Sequence, residues 1–103
     1  MSSPTQRSLA LLRGRGYTVA VTEHWNAFAR VRQDLYGFVD VLAVGHGHTV
    51  AVQTTSYSNV AARVAKIRNS AVAPTLRAAG WRVSVHGWRK VKGRWQVREV
   101  DLH

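Results

Sequence analysis

The chain has no cysteine, two prolines and one methionine among 103 residues. Without cysteine there are no disulfides and no thiolate metal sites. Acid is scarce: five Asp and Glu stand against 15 Lys and Arg, a formal charge of +10. No apolar run approaches the ~20 residues that a membrane-spanning helix needs. The stretch from Met1 to Arg7 lacks the long apolar segment of a signal peptide. No repeat or low-complexity tract interrupts the chain. These absences lead us to expect a cytoplasmic protein with no membrane partner.

What is present is an ordinary globular composition, 46% hydrophobic. The length suits one domain over residues 1–103, with a real but modest core. The positive charge is mostly arginine, 12 Arg against 3 Lys. Arginine holds phosphate with a planar fork of donors, where lysine acts as a point charge. A small, folded, very basic domain suggests a polyanion, with nucleic acid first. A ribosome-associated protein, an anionic membrane surface, or charge kept only for solubility are the blander readings.

Hydrophobic periodicity orders the elements. A first helix is expected over about residues 5–15, with Leu9, Leu11 and Leu12 as its apolar stripe and Gly16 as its stop. Residues 17–23 (YTVAVTE) alternate and read as a strand. Residues 24–36 read as a loop or a short extra strand. Residues 38–44 (FVDVLAV) and 49–55 (TVAVQTT) read as two strands around a tight turn, Gly45-His46-Gly47-His48. Ser56 to Asn59 offer capping groups for a helix running to about Arg68, with Val60, Val64 and Ile67 on one face. Pro74 opens a second short helix that ends at Gly80. Strands follow over 81–87 and 94–100, joined by a turn containing Arg89, Lys90, Lys92 and Gly93. The order α-β-β-β-α-(α)-β-β describes an α+β domain, a mixed sheet flanked by helices.

One carboxylate sits where acid is costly. If the turn is symmetric, Val44 pairs with Thr49, and four rungs on Asp40 faces Gln53. Opposed residues of antiparallel strands share a face, with Cβ atoms about 4.5–5.5 Å apart. Thr55 lies on that face by the period of two. Asp40, Gln53 and Thr55 then form a polar cluster on otherwise apolar strands. Either Asp40 is satisfied by Gln53 and nearby backbone, or the cluster is a divalent-cation site. In the second reading Asp40, the Gln53 oxygen and the Thr54 backbone carbonyl are the hard ligands that Mg²⁺ or Mn²⁺ takes.

A helix, an Asp-bearing strand, and a second strand with a polar pair two residues apart before another helix resembles the PD-(D/E)xK nuclease superfamily. FVDVLAV and TVAVQTTS sit where its two motif strands would be. The arrangement is most similar to small archaeal-type and phage Holliday junction resolvases, over roughly residues 5–85. The resemblance implies a restriction-endonuclease-like fold, a Mg²⁺- or Mn²⁺-dependent endonuclease, DNA rather than RNA as substrate, branched DNA as one target, a homodimer, and a bacterial, archaeal or phage-infected host cell. Carried over by position, Asp40 matches the metal-binding Asp. Gln53 stands where the motif has Glu or Asp, and Thr55 where it has Lys. Val39 replaces the Pro. Gln53 brings an oxygen without charge, and Thr55 cannot stabilise a phosphorane as a cation would. Very short patch repair endonucleases, similar to this superfamily, do use a Thr near their metal.

Two other acids are candidates to restore the missing charge. Glu23 ends the strand before the motif pair. Asp34 reads first as a turn residue and second as a metal contact. Arg63 or Lys66, on the helix after the motif, could replace the missing lysine charge, or could simply meet phosphate. Arg7, Arg13, Arg30, Arg32, Arg63, Lys66, Arg89 and Lys90 are the candidate nucleic-acid contacts.

Weaker signals remain. His46 and His48 read as plain turn residues rather than metal ligands. His24, beside Glu23, is a candidate general base, while His86 and His103 have no partner spacing. Trp81 and Trp95 read as core, and Trp88 as an exposed aromatic for base stacking. Three functions compete with the nuclease: a degenerate nuclease fold that only binds nucleic acid, a double-stranded-RNA-binding domain, and a small toxin-like ribonuclease.

Overall fold

A computed structural model describes residues 3–102, which leaves His103 outside the described residues. Helix α1 (Pro4–Gly14) starts on Ser3, whose hydroxyl accepts from the Gln6 N–H. Ser3 is a preferred capping residue and Pro4 tolerates the first turn, where its missing N–H costs nothing. Strand β1 (Thr18–Val21) follows, then β2 (His24–Asn26) and β3 (Val31–Gln33). β4 (Val41–Gly45) and β5 (His48–Ser56) form the expected hairpin. A 3₁₀ turn (Tyr57–Asn59) leads into α2 (Val60–Arg68), then α3 (Ala73–Ala78), β6 (Arg82–Val91) and β7 (Arg94–Leu102).

The main sheet has five strands in the order β1-β4-β5-β6-β7, and β2 and β3 make a separate two-stranded sheet. All neighbours in the main sheet are antiparallel except β5 and β6, which run parallel. The parallel step needs a crossover, and α2 and α3 supply it. The described residues are therefore α+β, with a mixed five-stranded sheet and three α-helices.

The β4–β5 register is the expected one: Val44 opposes Thr49 and Gly45 opposes His48. The two-residue loop works because His46 and Gly47 both take positive φ, 54° and 81°, as the tightest hairpin turn demands. α1 covers one face, packing Leu9 and Leu12 on Val41, Ala43 and Val52. α2 and α3 cover the other, where Val60, Ile67, Ala73 and Leu76 meet Ala51, Val83 and Val85.

Several expectations need correction. Residues 24–36 include the antiparallel pair β2–β3, so the extra-strand alternative holds. Asp40 precedes β4 rather than lying inside it. Neither Ser56 nor Asn59 caps its helix by a side-chain bond; Asn59 instead donates to the Ser56 hydroxyl at 3.0 Å. β6 and β7 outrun their expected ends, and their connecting turn holds only Lys92 and Gly93. Arg89 and Lys90 are strand residues. Trp95 is 44% exposed, covered by the side chain of Arg7 from α1 rather than by core residues. Trp88 is half-buried, donating its indole N–H to the Ser8 hydroxyl on α1 at 2.9 Å. Trp81 does pack against the core.

Candidate metal centre

Four strands meet at one end of the sheet, two of them ending there. β1 runs antiparallel to β4, with Val21 opposite Val41, so β1 ends where β4 begins. β4 runs antiparallel to β5, with Val41 opposite Val52, so β5 passes the same point on its way out. Parallel β6 follows β5 past it. Asp40 lies there, 4% exposed. Its backbone is pinned on both sides: Asp40 N–H donates to Val52 O at 2.9 Å, and Thr22 N–H to Asp40 O at 2.9 Å.

The β2–β3 hairpin springs from the same place. Glu23 stands at its first root and Asp34 at its second, so closing the hairpin returns the second acid to the first. The carboxylates of Glu23, Asp34 and Asp40 each present an oxygen within 4.8 Å of the others. Oxygens on opposite sides of an ion at 2.0–2.1 Å would be about 4.2 Å apart, so the group is nearly at the spacing a small hard cation needs. Three of the five acids of a +10 chain occupy this one spot.

The electrostatics follow. Partial burial pushes the Asp34 carboxyl up to about 7, and a hydrogen bond to Asp40 and the charges of Asp40 and Glu23 push the same way. Lys66 opposes the shift. Arg32 approaches Glu23 at 3.2 Å, but its side chain is two-thirds exposed, so it screens the cluster only weakly.

Asp40 Oδ2 is well provided for. It accepts from Gln53 Nε2 at 3.1 Å, the Thr54 N–H at 2.8 Å and Thr54 Oγ1 at 3.2 Å. Thr54 Oγ1 is in turn 2.8 Å from Thr5 Oγ1 on α1. Oδ1 takes none of these three bonds. Gln53 is the exception to the general satisfaction. Its Nε2 must face the carboxylate, because only the nitrogen can donate. That leaves Oε1 buried without a hydrogen-bond partner, in a residue 3% exposed. A buried orphan acceptor costs about 1–3 kcal/mol, and a cation or a water at this point would repay it.

Pro4, Thr5, Glu23, Arg32, Asp34, Asp40, Gln53, Thr54 and Arg63 line one open cleft. Apart from Pro4 and the two arginines, every one of these side chains offers an oxygen, the donor type that Mg²⁺ or Mn²⁺ prefers. The Thr54 carbonyl shares the strand edge of its N–H, since both backbone groups of a strand residue point the same way.

The structure thus brings together Asp40, Gln53, Thr54, Glu23 and Asp34. Thr55 is buried but does not line the cleft; it pairs with Gly87 of β6. His24 is exposed and lines a neighbouring depression with Lys66, not the acid cleft. Arg63 lines the cleft itself. Arg30 is at the exposed tip of the β2–β3 hairpin. Arg13 lies in the last turn of α1, whereas Pro4 and Thr5 of its first turn line the cleft, so Arg13 is at the far end of the helix. His46 bonds the Arg15 carbonyl at 2.7 Å and His48 the Tyr17 hydroxyl at 3.0 Å, fixing the turn as expected. Asp34 is the residue the sequence undervalued: Gly37 N–H does bond its carbonyl in a turn, but its carboxylate belongs to the acid cluster. The 11-residue return from Glu23 to Asp34 through a hairpin was the signal.

No protein-family model, curated protein or solved structure matches the chain.

Proposed function

We propose that this chain is a divalent-cation-dependent DNA endonuclease of the PD-(D/E)xK type, with a restriction-endonuclease-like core. The observation that carries the reading is the convergence of Glu23, Asp34 and Asp40 within 4.8 Å on a chain with only five acids. A sequence selected only to be basic has no reason to gather anions where they repel one another. A cation that pairs them makes the arrangement favourable.

A bound Mg²⁺ or Mn²⁺ supplies charge for a non-bridging phosphate oxygen and acidifies a water. The chain does the rest. Asp40 is held rigid by its three donors, so it can hold a ligand position without loss of order. Gln53 Oε1 offers a fixed acceptor to orient water. Asp34 would complete the set of carboxylate oxygens beside Glu23 and Asp40. Arg63 brings positive charge to the place where the motif lysine would act, on a different element. The parallel β5–β6 pairing and the two strands after α3 favour this reading over a double-stranded-RNA-binding domain.

A second reading has its own support. Thr55 lies outside the cleft and offers no cation, which favours a nuclease fold that binds nucleic acid without cutting it. One experiment separates the two. Supercoiled plasmid and a four-way DNA junction are incubated with the protein in Mg²⁺, Mn²⁺ or EDTA, beside Asp40→Asn. Metal-dependent cleavage lost in the variant supports the enzyme. Binding without cleavage supports the second reading, and cleavage that survives the substitution removes Asp40 from the site.

A further inference from the structure

The last two strands continue well beyond the rest of the sheet. β5 gives out at Ser56, opposite Trp88 of β6. From there only β7 accompanies β6, through Arg89↔Gln96, Lys90↔Trp95 and Val91↔Arg94. The result is a free two-stranded arm. Because β6 is parallel to β5, the arm extends past the same sheet end that carries the acid cleft. From the Thr54↔His86 rung to the turn at Lys92 is six residues, about 20 Å of strand.

The arm is basic on both faces. Opposed residues share a face, so Lys90 and Trp95 lie together on the α1 side. There Arg7 of α1 stacks over the Trp95 ring, its Cζ 3.2 Å from the centroid, with Lys90 Nζ at 5.9 Å. On the other face Arg89 stacks over Tyr57 at 4.0 Å, and its Nε donates to Gln96 at 3.1 Å. Arg94 belongs to that second face, and Lys92 is at the tip. Between Asp40 and Glu99 the chain carries no acid, so Arg89, Lys90, Lys92 and Arg94 have no acidic residue on the arm beside them. A guanidinium over a ring is held in place, and Arg89, held so, is exposed where its terminal nitrogens can meet phosphate. A merely solvated strand pair needs neither the aromatic props nor cations on both sides.

We infer that the β6–β7 arm enters the major groove of a DNA duplex and grips the phosphates of both groove walls, beside the metal cleft. The major groove is about 12 Å wide and admits a two-stranded ribbon. Entry between two phosphate walls is what a ribbon basic on both faces suits. The deep, narrow major groove of A-form RNA excludes it, so the inference selects DNA duplex as the substrate class. It rests on the nuclease reading only for the placement beside a cutting site; the grip itself needs no cleavage.

The test uses the full chain and a fluorescein-labelled 24-base-pair DNA duplex in EDTA, followed by anisotropy over a salt series. Wild type is compared with Arg89→Gln/Lys90→Gln/Arg94→Gln and with the single Lys92→Gln, each checked for an unchanged circular dichroism spectrum. Each lost phosphate contact lowers the slope of log affinity against log salt by about 0.9. The triple variant is expected to lose about 2–3 from the slope and at least tenfold in affinity, and Lys92→Gln about one third of the slope change. Wild type is also expected to protect guanine N7 from methylation, and to bind a same-sequence RNA duplex at least tenfold more weakly. An unchanged slope in the triple variant, no N7 protection, or equal binding of RNA overturns the inference. Mn²⁺ binding of the triple variant and of Asp40→Asn keeps the two readings apart. If Asp40→Asn alone loses Mn²⁺ and the triple variant keeps full DNA affinity, the arm fails and the site stands. If Asp40→Asn keeps Mn²⁺ while the triple variant loses DNA, the site fails and the arm stands.

Discussion

The five acids fall into two groups with opposite environments. Glu99 and Asp101 lie on β7, where Glu99 is firmly paired. Arg15 holds Glu99 through two bonds of 2.6 and 2.7 Å, and this pairing keeps the Glu99 carboxyl below its usual range. His86, buried on β6, faces Glu99 at 3.4 Å and takes a bond of 3.0 Å to Ser8 on its other nitrogen. The Ser8 oxygen also accepts from the Trp88 indole N–H at 2.9 Å, so one hydroxyl ties β6 to α1 at two points. Glu23, Asp34 and Asp40 are gathered together with only the exposed Arg32 paired to Glu23, Asp34 is pushed up to about 7, and the buried Gln53 Oε1 has no hydrogen-bond partner. The same residue types pair with a cationic side chain in one place and crowd one another in the other.

Substitutions should divide along that line. Asp40→Asn removes charge from the gathered group and should abolish metal-dependent nicking, at least 100-fold, as read on supercoiled plasmid. Glu99→Gln should leave nicking within twofold. Gln53→Glu adds a fourth carboxylate beside Asp40. It should tighten Mn²⁺ binding about tenfold and lower the melting temperature of the metal-free protein, both measurable by calorimetry, because like charges now repel without a partner.

The two groups also differ in sign against pH. Asp34 titrates higher in the folded chain than in the unfolded one, so its contribution is full below the unfolded value near 3.8 and is lost as pH rises to about 7. The metal-free protein should lose thermal stability across that range from this group. Mn²⁺ should offset the loss, and Asp34→Asn should flatten it. Glu99 titrates lower when folded, so its contribution holds above 4.5 and disappears only as pH falls below that. His86 is lowered by burial, so it costs stability as pH falls below 6.5. Thermal melts at half-unit pH steps distinguish these slopes. The smallest effect is on stability: Arg15→Ala breaks a bidentate but partly exposed pair and should cost about 0.5–1.5 kcal/mol in urea unfolding at pH 7.

Much of this was legible in the chain. The β4–β5 register followed from one symmetric turn, and with it the pairing of Asp40 with Gln53. Helix positions followed from Leu9 and Leu12, and from Val60 and Ile67, at helical spacing. What was not legible depended on contacts distant in sequence. β2 and β3 are three residues each, too short for alternation to announce them, and Asp34 reaches the site only through their pairing. Trp88 and Trp95 look alike in alternation, but α1 offers Ser8 to one and Arg7 to the other. Thr55 keeps the motif's spacing, yet β6 pairs it with Gly87 and leaves it off the cleft. The backbone is close enough there that a β-carbon at Gly87 would collide with Val60.

The gathered acids stand or fall with cation binding itself, apart from any cleavage. Titrating the metal-free chain with Mn²⁺ at pH 7.5, followed by the loss of free-ion electron paramagnetic resonance signal, should show one saturable site, with Asp40→Asn weakening it at least tenfold and Glu99→Gln leaving it unchanged. No saturable binding, or binding that Asp40→Asn leaves intact, would contradict the assignment of Glu23, Asp34 and Asp40 as a metal centre.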